Sequence, residues 1–301
     1  MNNAPQRIRA AFAEAGATGW LHAVDIDSGA EVDVNADRAV VTASVHKLCL
    51  LLALQQQAEQ GLLDLTKLIE CAPDGRATGP TGLAVMLDAV RISLRDAAYL
   101  MMAVSDNAAA EVLLDHVGLD TINAATGRLG LTRTRAVHSF AHLLATVRED
   151  AGPAGAPALT DPHVIARLRA LDPARTNHST PHDMTRLLSA VWRDEACAPE
   201  GCAAIRRLLS LQVWPHRMAS GFPFDDVHVA GKTGSLPTVR NEVGVVEYPD
   251  GGRYAIAVFT RAASPAATLP AVDTVIGTTA RIAVDALRAQ QTTAAGPPGR
   301  R

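Results

Sequence analysis

The chain has 301 residues, 28 Lys+Arg against 31 Asp+Glu for a formal net charge of −3, and 48% hydrophobic residues with 20% charged. That near-neutral balance, with no basic stripe, excludes an electrostatic footprint for nucleic acid. The apolar content excludes disorder for the bulk of the chain, and an aromatic share of 4% leaves Ala, Leu, Val and Ile to build the core.

Residues 8–15 read as a short N-terminal helix. Segments 19–27 and 31–34 alternate apolar and polar around Ser28-Gly29, which predicts an antiparallel hairpin. From Ser44 to about Val117 the pattern turns helical, as in 45–59 and 94–104, with Gly/Pro loops such as 73–80 between helices. Residues 150–158, mostly Gly, Pro and Ala, can bury little and read as a mobile surface loop. Strand signal returns in 227–230, 243–246 and 254–260, with Pro249-Asp250-Gly251-Gly252 as the hairpin turn between the last two. A helix from about Pro270 to Ala289 follows, and 291–301 read as a frayed, disordered tail. Strands at both ends with helices between them predict an α/β (α+β) chain. Segments 1–41 and 211–290 would form an antiparallel sheet flanked by terminal helices, and 42–210 an inserted all-helical lobe with an extended loop near 138–180.

Four cysteines make neither a disulfide framework nor a C-x-x-C zinc site, so no metal or other cofactor is expected. Cys49 lies in an apolar run and reads as core, while Cys197 and Cys202 are spaced for a local bridge. The first residues hold no seven-residue apolar stretch before Glu14, and no segment reaches the ~18 apolar residues of a membrane span. The expected location is the cytoplasm, with a small-molecule substrate and neither nucleic acid nor membrane as partner.

Three motifs occur in order: Ser44-Val45-His46-Lys47, Ser105-Asp106-Asn107 and Lys232-Thr233-Gly234-Ser235. An i, i+3 spacing at a helix start puts Ser44 and Lys47 one turn apart on one face, so the amine can reach the hydroxyl. Ser44 also meets the positive end of the helix dipole there. Taken alone, the same residues suit a helix cap and a solvated lysine. Lysine usage shifts the weight, because arginine replaces lysine nearly everywhere and two of the three lysines, Lys47 and Lys232, fall inside these motifs. Arginine cannot lose its proton, whereas a desolvated lysine near a second cation can be neutral and act as a base. Lys47 is then the titrating amine, Lys232 its cationic neighbour and Lys67 a plain surface residue. Ser105 is placed to relay a proton, and Asn107 offers an amide to a substrate carbonyl. Gly234 permits close approach of a substrate, and the main-chain N–H groups of Ser44 and Ser235 make a two-donor oxyanion hole.

On these motifs and their order the chain resembles the class A serine β-lactamases and related penicillin-recognising enzymes, over about 19–289. The resemblance implies that Ser44 is acylated, that Lys47 accepts the proton and that Ser105 relays it. It further implies that Asn107, Lys232 and Thr233 contact the substrate and that Ser44 and Ser235 hold the oxyanion. The reaction is then the opening of a lactam, amide or ester by a serine hydrolase of this type.

Two departures from the family follow. Class A enzymes activate the deacylating water with a Glu in a Glu-x-x-Leu-Asn pattern, yet the matching spacings fall near His138-Ser139-Phe140 and near Val164, with no Glu at either place. The nearest carboxylates are Glu149 and Asp150, and the nearest histidines are His138, His142 and His178. Acylation is therefore expected to survive and deacylation to proceed by another route. An acyltransferase, a D,D-peptidase-like enzyme and a non-catalytic penicillin-binding-type ligand binder stay open as alternatives. The family's basic residue after the third motif is the other departure. Arg240 is close enough to contact a substrate, but Asn241 stands at the matching place, and a one-residue slip in a strand reverses the face.

Overall fold

The computed structural model describes residues 3–294. Helix α1 (Ala4–Glu14) begins four residues earlier than expected because Pro5 sits in its first turn, where a missing N–H costs nothing. Strands β1 (Ala17–Asp25) and β2 (Glu31–Val34) form the expected hairpin. At the other end of the chain lie β7 (His228–Leu236), β8 (Val239–Glu247) and β9 (Arg253–Ala262). The five strands make one antiparallel sheet in the order β2-β1-β9-β8-β7, so the termini assemble it together and β7 is an edge. All three C-terminal strands are longer than their apolar runs, because polar residues at their ends also pair.

Both faces of this sheet are covered, which explains the near-continuous apolar run in β9. Tyr254, Ile256 and Val258 face one side with Ile8 and Phe12 of α1 and Ile276, Val284 and Leu287 of α10 (Pro270–Ala294). Ala255, Ala257 and Phe259 alternate to the other side, toward α8 (Pro181–Trp192) and the helical part of the chain. Helix α10 reaches Ala294, so the first four residues of the expected tail are helical and the remainder lies outside the described residues.

The middle of the chain is built around α2 (Lys47–Glu59), whose residues 47–54 are all at 0% exposure. A helix apolar all round belongs inside a bundle, and each of its buried leucines contributes about 1.5–3 kcal/mol. Around it stand α3 (Leu94–Ala103), α4 (Asn107–Val117), α5 (Leu119–Arg128) and α9 (Pro199–Ser210). Cys49 is core as expected, and burial pushes its thiol up to about 12. Cys197 and Cys202 are free thiols with Sγ atoms 3.5 Å apart.

This lobe is not all-helical. Strands β4 (Leu68–Cys71) and β5 (Val90–Ser93) pair within it, and β6 (His178–Ser179) pairs with the short β3 (Val40–Val41) that lies just before it in the chain. The β4–β5 pair aligns Ile69 with Ile92 and Cys71 with Val90 against the bundle, a short alternation hidden among Gly/Pro loops. The Gly/Pro/Ala stretch is also more ordered than its composition suggests. After α6 (Phe140–Ala151) come two 3-10 turns, Gly152–Ala154 and Ala156–Thr160, and the short α7 (Pro162–Ile165). Val164, Ile165, Leu168 and Leu171 tie this segment to Leu143 and Val147 in a small core of its own. Among the described residues no helix is long and apolar enough to cross a membrane.

Candidate active site

The three motifs converge where the edge strand β7 meets the start of α2. Ser44 lies in a 3-10 turn, Ala43–His46, that leads into α2 at Lys47. Side chains three apart eclipse in such a turn, which stacks Ser44 and Lys47. Ala43 holds φ +49° and Ser105 φ +59°, left-handed conformations that cost a non-glycine residue about 1–2 kcal/mol each. Both strained positions adjoin the chemistry-bearing residues.

Lys47 is fully buried, and its Nζ lies within hydrogen-bond distance of Ser105 O (2.6 Å), Asn107 Oδ1 (2.8 Å), Asp106 O (3.3 Å) and Ser105 Oγ (3.4 Å). These hydrogen bonds run to the Ser-Asp-Asn turn, so the amine ties the nucleophile's helix to that turn. Burial first, and the Lys232 charge second, hold Lys47 well below the ordinary lysine range, against the pull of Asp106 and Glu111. Asp106 is a buried clamp: Oδ1 accepts from the N–H groups of Ala108 and Ala109 at the start of α4, and Oδ2 from Leu83 N. Asn107 gives its second amide end to Thr78 O (2.9 Å), so in this arrangement it positions Lys47 as much as it faces the cavity.

Lys232, Thr233 and Gly234 lie inside β7, not after it. A Cβ at Gly234 would come within 2.6 Å of Thr42 O and 3.2 Å of Ser44 N, so only glycine lets β7 press against the nucleophile's turn. Thr233 N donates off the sheet edge to Gln212 Oε1 (2.6 Å). By the two-residue repeat of a strand, the Ser235 N–H is directed the same way, toward the cavity beside Ser44. Burial pushes Lys232 down to about 7, with Glu242 acting against that shift.

Ser44, Ser105, Asn107, Thr233, Gly234 and Ser235 all line one cavity of about 360 Å³, together with Trp214, His216 and Arg217. None of its lining residues is a carboxylate. Sequence reasoning missed the second group, although Trp214-Pro215-His216-Arg217 is an aromatic and basic cluster in a loop. Arg217 is buried and donates to Ser235 Oγ (2.7 Å), Gly234 O, Asn241 O and Asp273 Oδ1 (2.7 Å). Arg240 instead spends its guanidinium on the carbonyls of Leu236, Val239 and Ala267 and lines an adjoining cavity, not the one holding Ser44. Asn241 faces under the turn, with Nδ2 on Val41 O.

The spacing that should hold a glutamate falls on the start of α6. There Phe140 places its ring centroid 5.2 Å from Lys47 Nζ. Glu111 of α4 fixes it, accepting from the N–H groups of Phe140 and Ala141 at 3.1 Å each. Glu149 and Asp150 are both paired with Arg169. None of His138, His142 and His178 lines the Ser44 cavity, and His138 Nε2 is engaged with Thr176 Oγ1.

His46, beside Lys47, is buried with both ring nitrogens unpartnered. Burial first, then His178 and His138, push it down to about 3. Between that value and the ordinary 6.5 the unfolded chain binds the proton and the folded chain does not, so stability falls as pH drops through this window. His46→Phe is expected to raise the pH 4.5 melting temperature markedly, by roughly 2–3 kcal/mol of stability, with a far smaller change at pH 8. Equal shifts at both pH values in thermal melts would refute this.

The matching family model is that of the beta-lactamase enzyme family, over residues 3–287, and the chain belongs to this family of β-lactamase-like serine hydrolases. The chain is 32% identical over 306 residues, 94% of itself and 97% of the relative, to the beta-lactamase regulatory protein BlaB of Streptomyces cacaoi. Among solved structures, a beta-lactamase from Sphaerobacter thermophilus matches with TM-score 0.77 and 27% identity over 98% of both chains. PBP-A matches with TM-score 0.78 and 21% identity over 96% of this chain and 97% of that one, a likeness of fold.

Proposed function

We propose that the chain opens a lactam, amide or ester by forming an acyl enzyme on Ser44, and that it releases the acyl group slowly. The observation that carries this reading is the buried Lys47 amine, held by Ser105 and Asn107 beside the cavity that Ser44 lines, where burial favours its neutral form. Ser44 Oγ attacks the carbonyl carbon as its proton passes to Lys47. The N–H groups of Ser44 and Ser235 stabilise the oxyanion. As the carbonyl–nitrogen or carbonyl–oxygen bond breaks, the leaving atom takes its proton through Ser105. Thr233 and Arg217 supply the polar and cationic wall for the rest of the substrate, with Lys232 buried behind that wall and acting on the substrate through its charge alone.

Slow release follows from Phe140. A ring in contact with Lys47 cannot activate water, and the cavity offers no carboxylate in its place. A second reading, a β-lactam sensor in which the long-lived acyl enzyme is the signal, is favoured by the relative named as a regulatory protein. A PBP-A variant captured as an acyl-enzyme complex with penicillin G gives the shared fold a precedent for such an intermediate. Fluorescent penicillin and a fluorophosphonate are expected to label the parent protein and not Ser44→Ala. Labelling that persists in Ser44→Ala, or fails in the parent with both probes, overturns the reading.

A further inference from the structure

Beneath the third motif lies a carboxylate that the mechanism above does not use. Glu242 of β8 stands opposite Thr233 of β7 and is 1% exposed. Its side chain crosses β7 at Gly231, where a Cβ would come within 3.0 Å of Oε1, so the glycine leaves room for it. Oε1 accepts from Gln212 Nε2 (2.7 Å) and Oε2 from Met218 N (2.6 Å). Gln212 in turn accepts from Thr233 N, and Met218 follows Arg217, which holds Ser235. One buried carboxylate thus joins the motif strand to the loop that supplies Trp214, His216 and Arg217 to the cavity.

We infer that Glu242 is a positioning residue for the acylation reaction: through Gln212 and Met218 it fixes the 212–218 loop, and with it Arg217 on Ser235, against the motif strand β7. The inference rests on the acyl-Ser44 reading. The charged groups that bear on Lys232 are Glu242 and Arg217; burial pushes the Glu242 carboxyl up, and the hydrogen bonds from Met218 and Gln212 and the charges of Arg217 and Lys232 act against that rise. A buried ammonium beside a guanidinium loses its proton unless a negative charge answers both. Lys232 in turn helps to hold Lys47 neutral. Removing the carboxylate therefore acts twice: Lys232 deprotonates at lower pH, and Lys47, freed from that positive neighbour, retains its proton to higher pH.

The test is the pH dependence of the rate of Ser44 acylation by a penicillin, which carries a carboxylate, and by an uncharged ester. In Glu242→Gln the penicillin profile is expected to narrow, its alkaline limb moving down by about one pH unit or more. The ester, which does not need the Lys232 charge for binding, should keep its alkaline limb. Gln212→Leu, which cuts the ties to both Thr233 and Glu242, should lower the rate with both substrates. Should Glu242→Gln not fold, Glu242→Asp carries the comparison: it keeps the charge but is one methylene too short to hold Gln212 Nε2 and Met218 N together, so the acylation rate should fall with both substrates, and an unchanged rate overturns the inference. A labelled parent whose acylation rates stay put in these variants overturns this inference alone. A parent that forms no adduct at any pH overturns the acyl-enzyme reading and this inference with it.

Discussion

Replacing Lys47 by alanine is expected to slow acylation of Ser44 by about 10³-fold, within the range that a positioned proton acceptor contributes. The amine is fully buried and has no aqueous substitute at its place between α2 and the Ser105–Asn107 turn. Lys47→Arg should fail nearly as badly, because a guanidinium keeps its proton, and that outcome separates proton transfer from simple charge or packing. Stopped-flow labelling with fluorescent penicillin measures both. In the parent, the rate should fall as the medium is acidified through the depressed Lys47 titration, since only the neutral amine accepts the proton. Near-parent rates in Lys47→Arg would refute the assignment of Lys47 as base.

The second large effect is a gain. Phe140→Glu places a carboxylate where a ring now sits against Lys47, at the start of a helix whose first N–H groups are already capped by Glu111. The new carboxylate gains an opposite charge when the amine protonates, which offsets part of its burial. Acting on water beside the acyl group, it is expected to shorten the acyl-enzyme lifetime by about 10²-fold or more, the usual return from general-base catalysis. The acylation rate should change far less. Following adduct loss by mass spectrometry in the two proteins measures this, and an unchanged lifetime would show that Phe140 is not what delays release.

Much of this site is legible in the sequence because its chemistry is concentrated in short contiguous motifs. Ser44 with Lys47, and Lys232 through Ser235, need the fixed spacings of a helical turn and a strand, and those spacings survive in one dimension. Arg217 was not legible, since its role depends on a loop folding back to Ser235 and Asp273, 18 and 56 residues away. Glu242 was hidden for a similar reason: in Val239–Glu247 a carboxylate reads as the solvent face of a strand, and only the space at Gly231 reveals it as buried. The sheet was legible from alternation at both termini. The β4–β5 pair was not, because four-residue strands between Gly/Pro loops carry too little periodicity. The 152–165 segment misled through its composition, while Val164, Ile165, Leu168 and Leu171, widely spaced, supplied enough apolar surface to order it.

Fast acylation of Ser44 with slow release can be followed by intact-mass spectrometry of the parent protein with penicillin G, sampled from seconds to hours. An adduct of the whole penicillin, mapped to the peptide holding Ser44, is expected to build to near stoichiometry and to decay far more slowly than it forms. Protein that stays unmodified throughout, or product released with no adduct ever accumulating, would contradict that expectation.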